Sequence, residues 1–225
     1  MFCAIFLSGC AGKPSPPPSR YIGDLAGLER VARGAWNEQW RRPGVDLGVY
    51  RAVELAPARL ADPFDTHGDR YREYDRKTLL RKFDRALRRG FEETGWLVDA
   101  PGARVLEVEP TLTAVQANRP PLDTTDQTIV WTARGVGRAS MQLALRDAET
   151  GELLVAIVAR KRGAEFSVNF NRNSTWGDAE DAFRFWARML RQMLQRAGVG
   201  PEAGDASSGG GRPDRSGGVP AAPGA

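Results

Sequence analysis

The chain is short of the residues from which most metal and redox centres are built. Its 225 residues include two cysteines, Cys3 and Cys10, and a single histidine, His67. Two cysteines exclude a disulfide framework and a cysteine-based structural zinc site. One histidine excludes every metal or catalytic centre that needs two. Lysine is scarce as well. Lys13, Lys77, Lys82 and Lys161 are the only four, so arginine supplies the other 28 of 32 cations. No apolar run reaches the roughly 18 residues that an ordinary membrane-spanning helix requires. No hydrolase signature surrounds any serine, and no pair of carboxylates stands out for acid–base work.

A hydrophobic share of 41% is near average and excludes a fully disordered chain. The net charge is +4. An arginine-rich chain can signal nucleic-acid or anionic-lipid binding. Here Arg, Ala, Gly and Pro rise together, the mark of coding bias, and acids are interspersed with the arginines. No nucleic-acid partner is assigned.

The N-terminus carries the most specific pattern. Met1 to Leu7 is a short apolar run, followed by Leu7-Ser8-Gly9-Cys10. A short apolar segment ending in small residues reads as a secretory signal. Leu-Ser-Gly-Cys resembles the lipobox of bacterial lipoproteins. That resemblance implies cleavage at Gly9–Cys10, with Leu7, Ser8 and Gly9 read by the signal peptidase and Cys10 receiving lipid. Nothing before Cys10 is charged, so the expected basic n-region would lie upstream of the recorded start. Ala11 to Arg20 is a Pro/Ser tether, extended and unable to pack. Ala11 after the anchor, by analogy with Gram-negative lipoproteins, implies export to the outer membrane. At the far end, residues 199–225 are Gly, Pro, Ala and Ser with few large side chains, a composition that predicts a disordered tail.

Residues 21–198 are patterned as one domain, long enough to bury one good core. Leu79, Leu80, Phe83, Ala86, Leu87 and Phe91 fall three and four apart and predict a helix, with Asp75 as its N-cap and Gly95 as its stop. Its other face is basic: Arg76, Lys77, Arg81, Arg85, Arg88 and Arg89. A second helix follows from Ala179, Ala182, Phe183, Trp186, Met189, Leu190, Met193, Leu194 and Ala197, capped by Thr175 or Asp178 and ended by Gly198. Strands are predicted where apolar residues alternate. Val49, Val53 and Leu55 share one face. Leu106, Val108, Leu112 and Ala114 oppose Glu107, Glu109, Thr111 and Thr113, with Pro110 demoting this strand to an edge or bulge. Ala139 to Leu145 and Leu153 to Ala159 form a hairpin across Asp147–Glu152, where Gly151 supplies the positive φ of a tight turn. A short helix is read at Leu28–Trp40, and Ile129-Val130-Trp131 is a loop or extra strand. The fold class is α+β: an antiparallel sheet of four to five strands with two amphipathic helices on one face, in the order β-α-β-β-β-α.

Three patterns could carry chemistry. Gly135-Val136-Gly137-Arg138-Ala139-Ser140 lacks the third Gly of a dinucleotide-binding pattern and precedes a strand instead of following one, so it has no helix N-terminus to bind pyrophosphate. Asp62, Asp65, His67 and Asp69 could surround a cation, but their spacing fits no known loop and their composition is that of a surface turn. Trp176 and Trp186 with Arg184 and Arg188 could stack on sugars or peptides, whereas a helix burying Trp186 and turning arginine outward is the plainer account. No catalytic residue, metal ligand or cofactor is assigned, apart from the covalent lipid on Cys10.

The Leu7–Cys10 lipobox is followed in order by Tyr21-Ile22-Gly23-Asp24-Leu25 to Leu28, Val49-Tyr50-Arg51 to Pro57, the Asp147–Glu152 hairpin and Trp176-Gly177-Asp178-Ala179. In this the domain resembles the bacterial lipoproteins grouped as domain of unknown function family 3313. The resemblance brings no established activity. At the level of fold, such domains are similar to accessory lipoproteins of envelope machines. The expectation is a periplasm-facing, lipid-anchored outer-membrane protein that binds an envelope partner. The alternative is a small-ligand carrier or hydrolytic enzyme using a groove or the Asp62–Asp69 loop.

Overall fold

A computed structural model describes residues 21–32, 35–65, 73–117, 137–162 and 176–201. The elements are β1 (Glu29–Arg30), β2 (Glu38–Arg41), a 3-10 turn (Leu47–Val49), β3 (Ala52–Leu55), β4 (Arg59–Asp65), α1 (Glu73–Phe91), β5 (Leu97–Val98), β6 (Val105–Gln116), β7 (Arg138–Asp147), β8 (Leu153–Arg162) and α2 (Gly177–Arg196). All strands join one eight-stranded sheet in the order β1-β2-β8-β7-β6-β3-β5, with β4 beside β6.

The α+β class and the two amphipathic helices hold, but the sheet is mixed, not antiparallel, and has more strands than the four to five expected. β3 runs parallel to both β5 and β6, and β4 runs parallel to β6. Parallel neighbours need a long crossover, and α1 supplies it between β3 and β5. Of the strands not expected, β1 and β5 have two residues each, too few to show a period of two. The helix expected at Leu28–Trp40 is instead the β1–β2 pair, with Arg30 opposite Trp40. Tertiary pairing decides this: β2 adds to β8, and Trp40 sits across from Ala156.

The predicted hairpin is the centre of the sheet. Leu143 faces Ile157, Leu145 faces Val155, and residues 153–159 are all buried. β6 is also central, not an edge. Pro110 is buried there because β3 pairs through Val108 and β4 only from Thr111. Its missing N–H falls where that side has no partner strand. A bulge after Leu112 switches faces, so Val115, not Ala114, joins Leu106, Val108 and Leu112 in the main core. Val49 is not on the Val53–Leu55 face; it lies in the 3-10 turn, 47% exposed.

Each face of the sheet is covered differently. On one, Leu79, Phe83, Leu87 and Phe91 of α1 and Ala182, Phe183, Trp186, Leu190 and Leu194 of α2 bury against Leu143, Leu145, Val155 and Ile157. On the other, Ile22, Leu25 and Leu28 pack with Trp40 over Ala144, Leu153, Ala156 and Val158. Val199, read from sequence as part of the tail, is buried against the core. Gly200 donates to the Tyr50 carbonyl and lies so close to Trp96 that a Cβ there would approach its Nε1 to 2.7 Å.

Candidate functional site

The candidate site is the seam between the two helices. Contacts at Lys82–Glu180, Phe83–Phe183 and Gly90–Ala187 advance together along both helices, so α1 and α2 run in the same direction. Phe83, Phe183 and Trp186 form an aromatic cluster beneath, with ring centroids 5.0–6.5 Å apart. Gly90 sets the closeness of approach: a Cβ there would lie 2.9 Å from the Ala187 Cβ. Gly inside a helix costs about 0.5–1 kcal/mol relative to Ala, and the tight crossing is what that cost allows.

Above this contact lies a groove of about 340 Å³ with Ala86, Gly90, Phe183 and Ala187 among its lining. Its rim carries Lys82, Arg85, Arg89, Arg184 and Arg188 against one carboxylate, Glu180. The cations divide into two sets. Lys82 pairs with Glu180, and Arg184 reaches both Glu180, at 3.9 Å, and Asp181. Arg85, Arg89 and Arg188 are exposed and form no ion pair among the described residues. The groove therefore grows more positive towards the C-terminal ends of both helices. Nothing lining it is Ser, Cys or His.

The helix caps differ from expectation. α1 begins at Glu73, which puts Asp75 in the first turn instead of at the N-cap, where a carboxylate still favours the helix dipole. It stops at Phe91, four residues before Gly95. Trp176 is the N-cap of α2 and makes no side-chain cap bond. Asp178 instead accepts from the Gly137 backbone N–H at 2.9 Å. That bond occupies the Gly137 amide of the glycine pattern and ties α2 to the start of β7. Gly198 follows the end of α2 with φ of +81°, as expected.

Two further polar clusters are structural. Asp147 Oδ1 accepts from the backbone N–H groups of Thr150 and Glu149 and from the Thr150 hydroxyl, while Tyr50 donates to Oδ2 at 2.8 Å. These bonds, the Thr150 N–H foremost, hold the Asp147 carboxyl below its usual range. Burial, aided by Asp147, pushes the Tyr50 phenol up. Glu38, buried on β2, is held by Arg160 at 3.2 Å and Arg30 at 3.8 Å.

Leu7, Ser8, Gly9 and Cys10 lie outside the described residues, as do His67, Asp69, Gly135 and residues 129–131. Asp62 and Asp65 are on β4, and among the described residues no group of three His, Cys, Asp or Glu could hold a metal. Trp186 is buried and unavailable for stacking on a sugar. The basic face of α1 and the arginines of α2 were legible separately. Their meeting was not, although Gly90 within an otherwise good helix is the signal of a close crossing.

No helix among the described residues is long and apolar enough to cross a membrane. The molecule is thus an α+β domain with a mixed sheet, two parallel helices on one face and a basic groove between them. By sequence the chain belongs to the family described as "Protein of unknown function (DUF3313)", whose model matches residues 17–190. No protein of curated function matches it. Similar solved structures include the PelC dodecamer from Paraburkholderia phytofirmans, 13% identical over 68% of this chain and 94% of that chain, with a TM-score of 0.35. A Xanthomonas campestris protein of family DUF330 is 14% identical over 70% and 91%, with a TM-score of 0.37. A minor lipoprotein from Acinetobacter baumannii is 11% identical over 66% and 95%, with a TM-score of 0.32.

Proposed function

We propose that this protein is a lipoprotein anchored through Cys10 in the bacterial outer membrane, facing the periplasm. It works by binding, as a non-enzymatic accessory subunit of a cell-envelope complex. The observation that carries this reading is Leu7-Ser8-Gly9-Cys10 followed at once by a Pro/Ser-rich tether. Only a thiol offers the nucleophile that lipidation needs, and Ser8 and Gly9 leave the peptidase room. Acyl chains contribute about 0.8 kcal/mol per buried methylene, so several chains anchor firmly. The geometry is compatible. Ile22, which follows the tether in sequence, packs on the sheet face opposite the helices that line the groove.

The competing reading is a small-ligand carrier or hydrolytic enzyme. The groove offers it arginines and one carboxylate but no nucleophile–imidazole pair, which favours binding over hydrolysis.

The test is Cys10→Ser. Loss of labelling by radioactive palmitate and release of the protein from the membrane fraction are expected. Unchanged labelling refutes the anchor. In the same cells, crosslinking should capture an envelope protein with the anchored form above the level of the released one; equal capture refutes the partner role.

A further inference from the structure

Resting on that binding reading, we propose that the groove between α1 and α2 is the docking site for an acidic peptide segment of a partner protein, held by Arg85, Arg89 and Arg188. These three guanidinium groups line one groove, are exposed, and have no ion pair among the described residues. Nearby charges are already matched: Asp84 pairs with Arg88 at 3.0 Å, Glu180 with Lys82, and Asp181 with Arg184. On α2 no acid follows Asp181 before the helix ends, while Arg184, Arg188, Arg191 and Arg196 do. The open positive charge is thus confined to the C-terminal half of the seam.

The chemistry of the lining selects the occupant. A guanidinium presents a planar fork that matches a carboxylate in two parallel hydrogen bonds, so a rim of arginine favours Asp and Glu side chains. The groove is concave, and its apolar lining of Ala86, Gly90, Phe183 and Ala187 is mostly small. A peptide backbone or a small apolar side chain can reach between the rims, whereas a flat bilayer surface touches only the arginine tips. A segment alternating acidic and small residues meets both features, and the positive field speeds its encounter. A second copy of this chain is the remaining rival, because Glu54 and Glu107 stand side by side on β3 and β6.

The test uses the full-length chain in detergent. The probe is a short dye-labelled peptide of alternating Glu and Ala, with a Lys–Ala counterpart and phosphatidylglycerol vesicles alongside. Fluorescence anisotropy should show binding of the Glu–Ala peptide that weakens with salt, and none of the Lys–Ala peptide. Combining Arg85→Gln, Arg89→Gln and Arg188→Gln should weaken binding about tenfold or more, as three exposed charge pairs together warrant. Combining Arg30→Gln, Arg41→Gln and Arg138→Gln removes the same charge from the strands and should leave binding within about twofold. Equal loss in both triple variants, or no peptide binding, overturns the proposal. Vesicle binding without peptide binding assigns the groove to lipid and also overturns it. So does concentration-dependent self-association, seen by light scattering, that the groove variant abolishes. If the glutamine triple fails to fold by circular dichroism, Arg→Lys at the same three positions keeps charge and removes the fork. It should bind more weakly than the native chain; undiminished binding overturns the proposal. Crosslinking of the groove variant in cells separates the two readings: capture that persists leaves the binding role standing and removes only the groove from it.

Discussion

Glu107 shows how one side chain feels the sheet around it. It stands in register beside Glu54 on β3 and across from Arg146 on β7. Burial, then the charges of Glu109 and Glu54, raise its carboxyl above the usual range, with Arg146 and Arg59 opposing. A raised carboxyl favours the protonated form in the folded state. Its contribution to stability is therefore present below the ordinary glutamate pKa of about 4.3 and lost as pH rises through the elevated value. Glu107→Gln mimics the protonated form. It should raise Tm at neutral pH and leave it unchanged at about pH 3, a difference that calorimetry at the two pH values would reveal. Asp147 has the opposite sign. Its lowered carboxyl stabilises the fold above about pH 4, and that contribution fades as acid passes through the lowered value. The same four hydrogen bonds that lower it shape the β7–β8 turn, closed by Gly151 at φ of +70°. An Asp opening such a turn and a Gly near its end were readable directly, because side-chain-to-backbone bonding and left-handed φ are local properties.

At the scale of elements, the two helices depend on a crossing that only Gly90 permits. A larger residue must displace Ala187, whose Cβ already lies within 2.9 Å of where a Cβ at position 90 would sit. Gly90→Val should cost about 1–3 kcal/mol by overpacking, measurable by urea unfolding. If the helices part, the arginine rims separate as well, and peptide binding should weaken in that variant although no charge has changed. The helices themselves were legible to within a few residues, since a period of 3.6 persists over five turns. Their caps were less so. Asp178 satisfies the Gly137 amide just before β7 instead of an amide of its own helix, a choice made by packing and not by local propensity. Pro110 taught the converse. A proline argues against a central strand, yet here the neighbouring strands leave a gap beside it, and the strand stays central.

Across the whole molecule, the sheet is closed on both faces by unlike covers. The helices supply one, and the segment from Ile22 to Leu28 supplies the other. Ile22 is fully buried against Ala144, Leu153, Ala156 and Val158. Ile22→Ala should cost about 2–5 kcal/mol and free this segment, so that limited proteolysis cuts ahead of β2 sooner than in the native chain. Residues 153–159 announce themselves as buried on both sides, because unbroken apolar runs mark strands covered on both faces. The sequence could not say what the second cover is, because Ile22, Leu25 and Leu28 span too short a stretch to tell a helix from a packed loop.

The sequence by itself determined the α+β class, the two amphipathic helices, the central hairpin and the family, because each is written in local spacing or in motif. Only the tertiary structure decided that the sheet is mixed, that β1, β4 and β5 exist, and that two basic helix faces meet across one groove. Those features arise from pairing between distant segments. Short strands gain their hydrogen bonds from neighbours already in place, and Gly90 has meaning only once Ala187 is set against it.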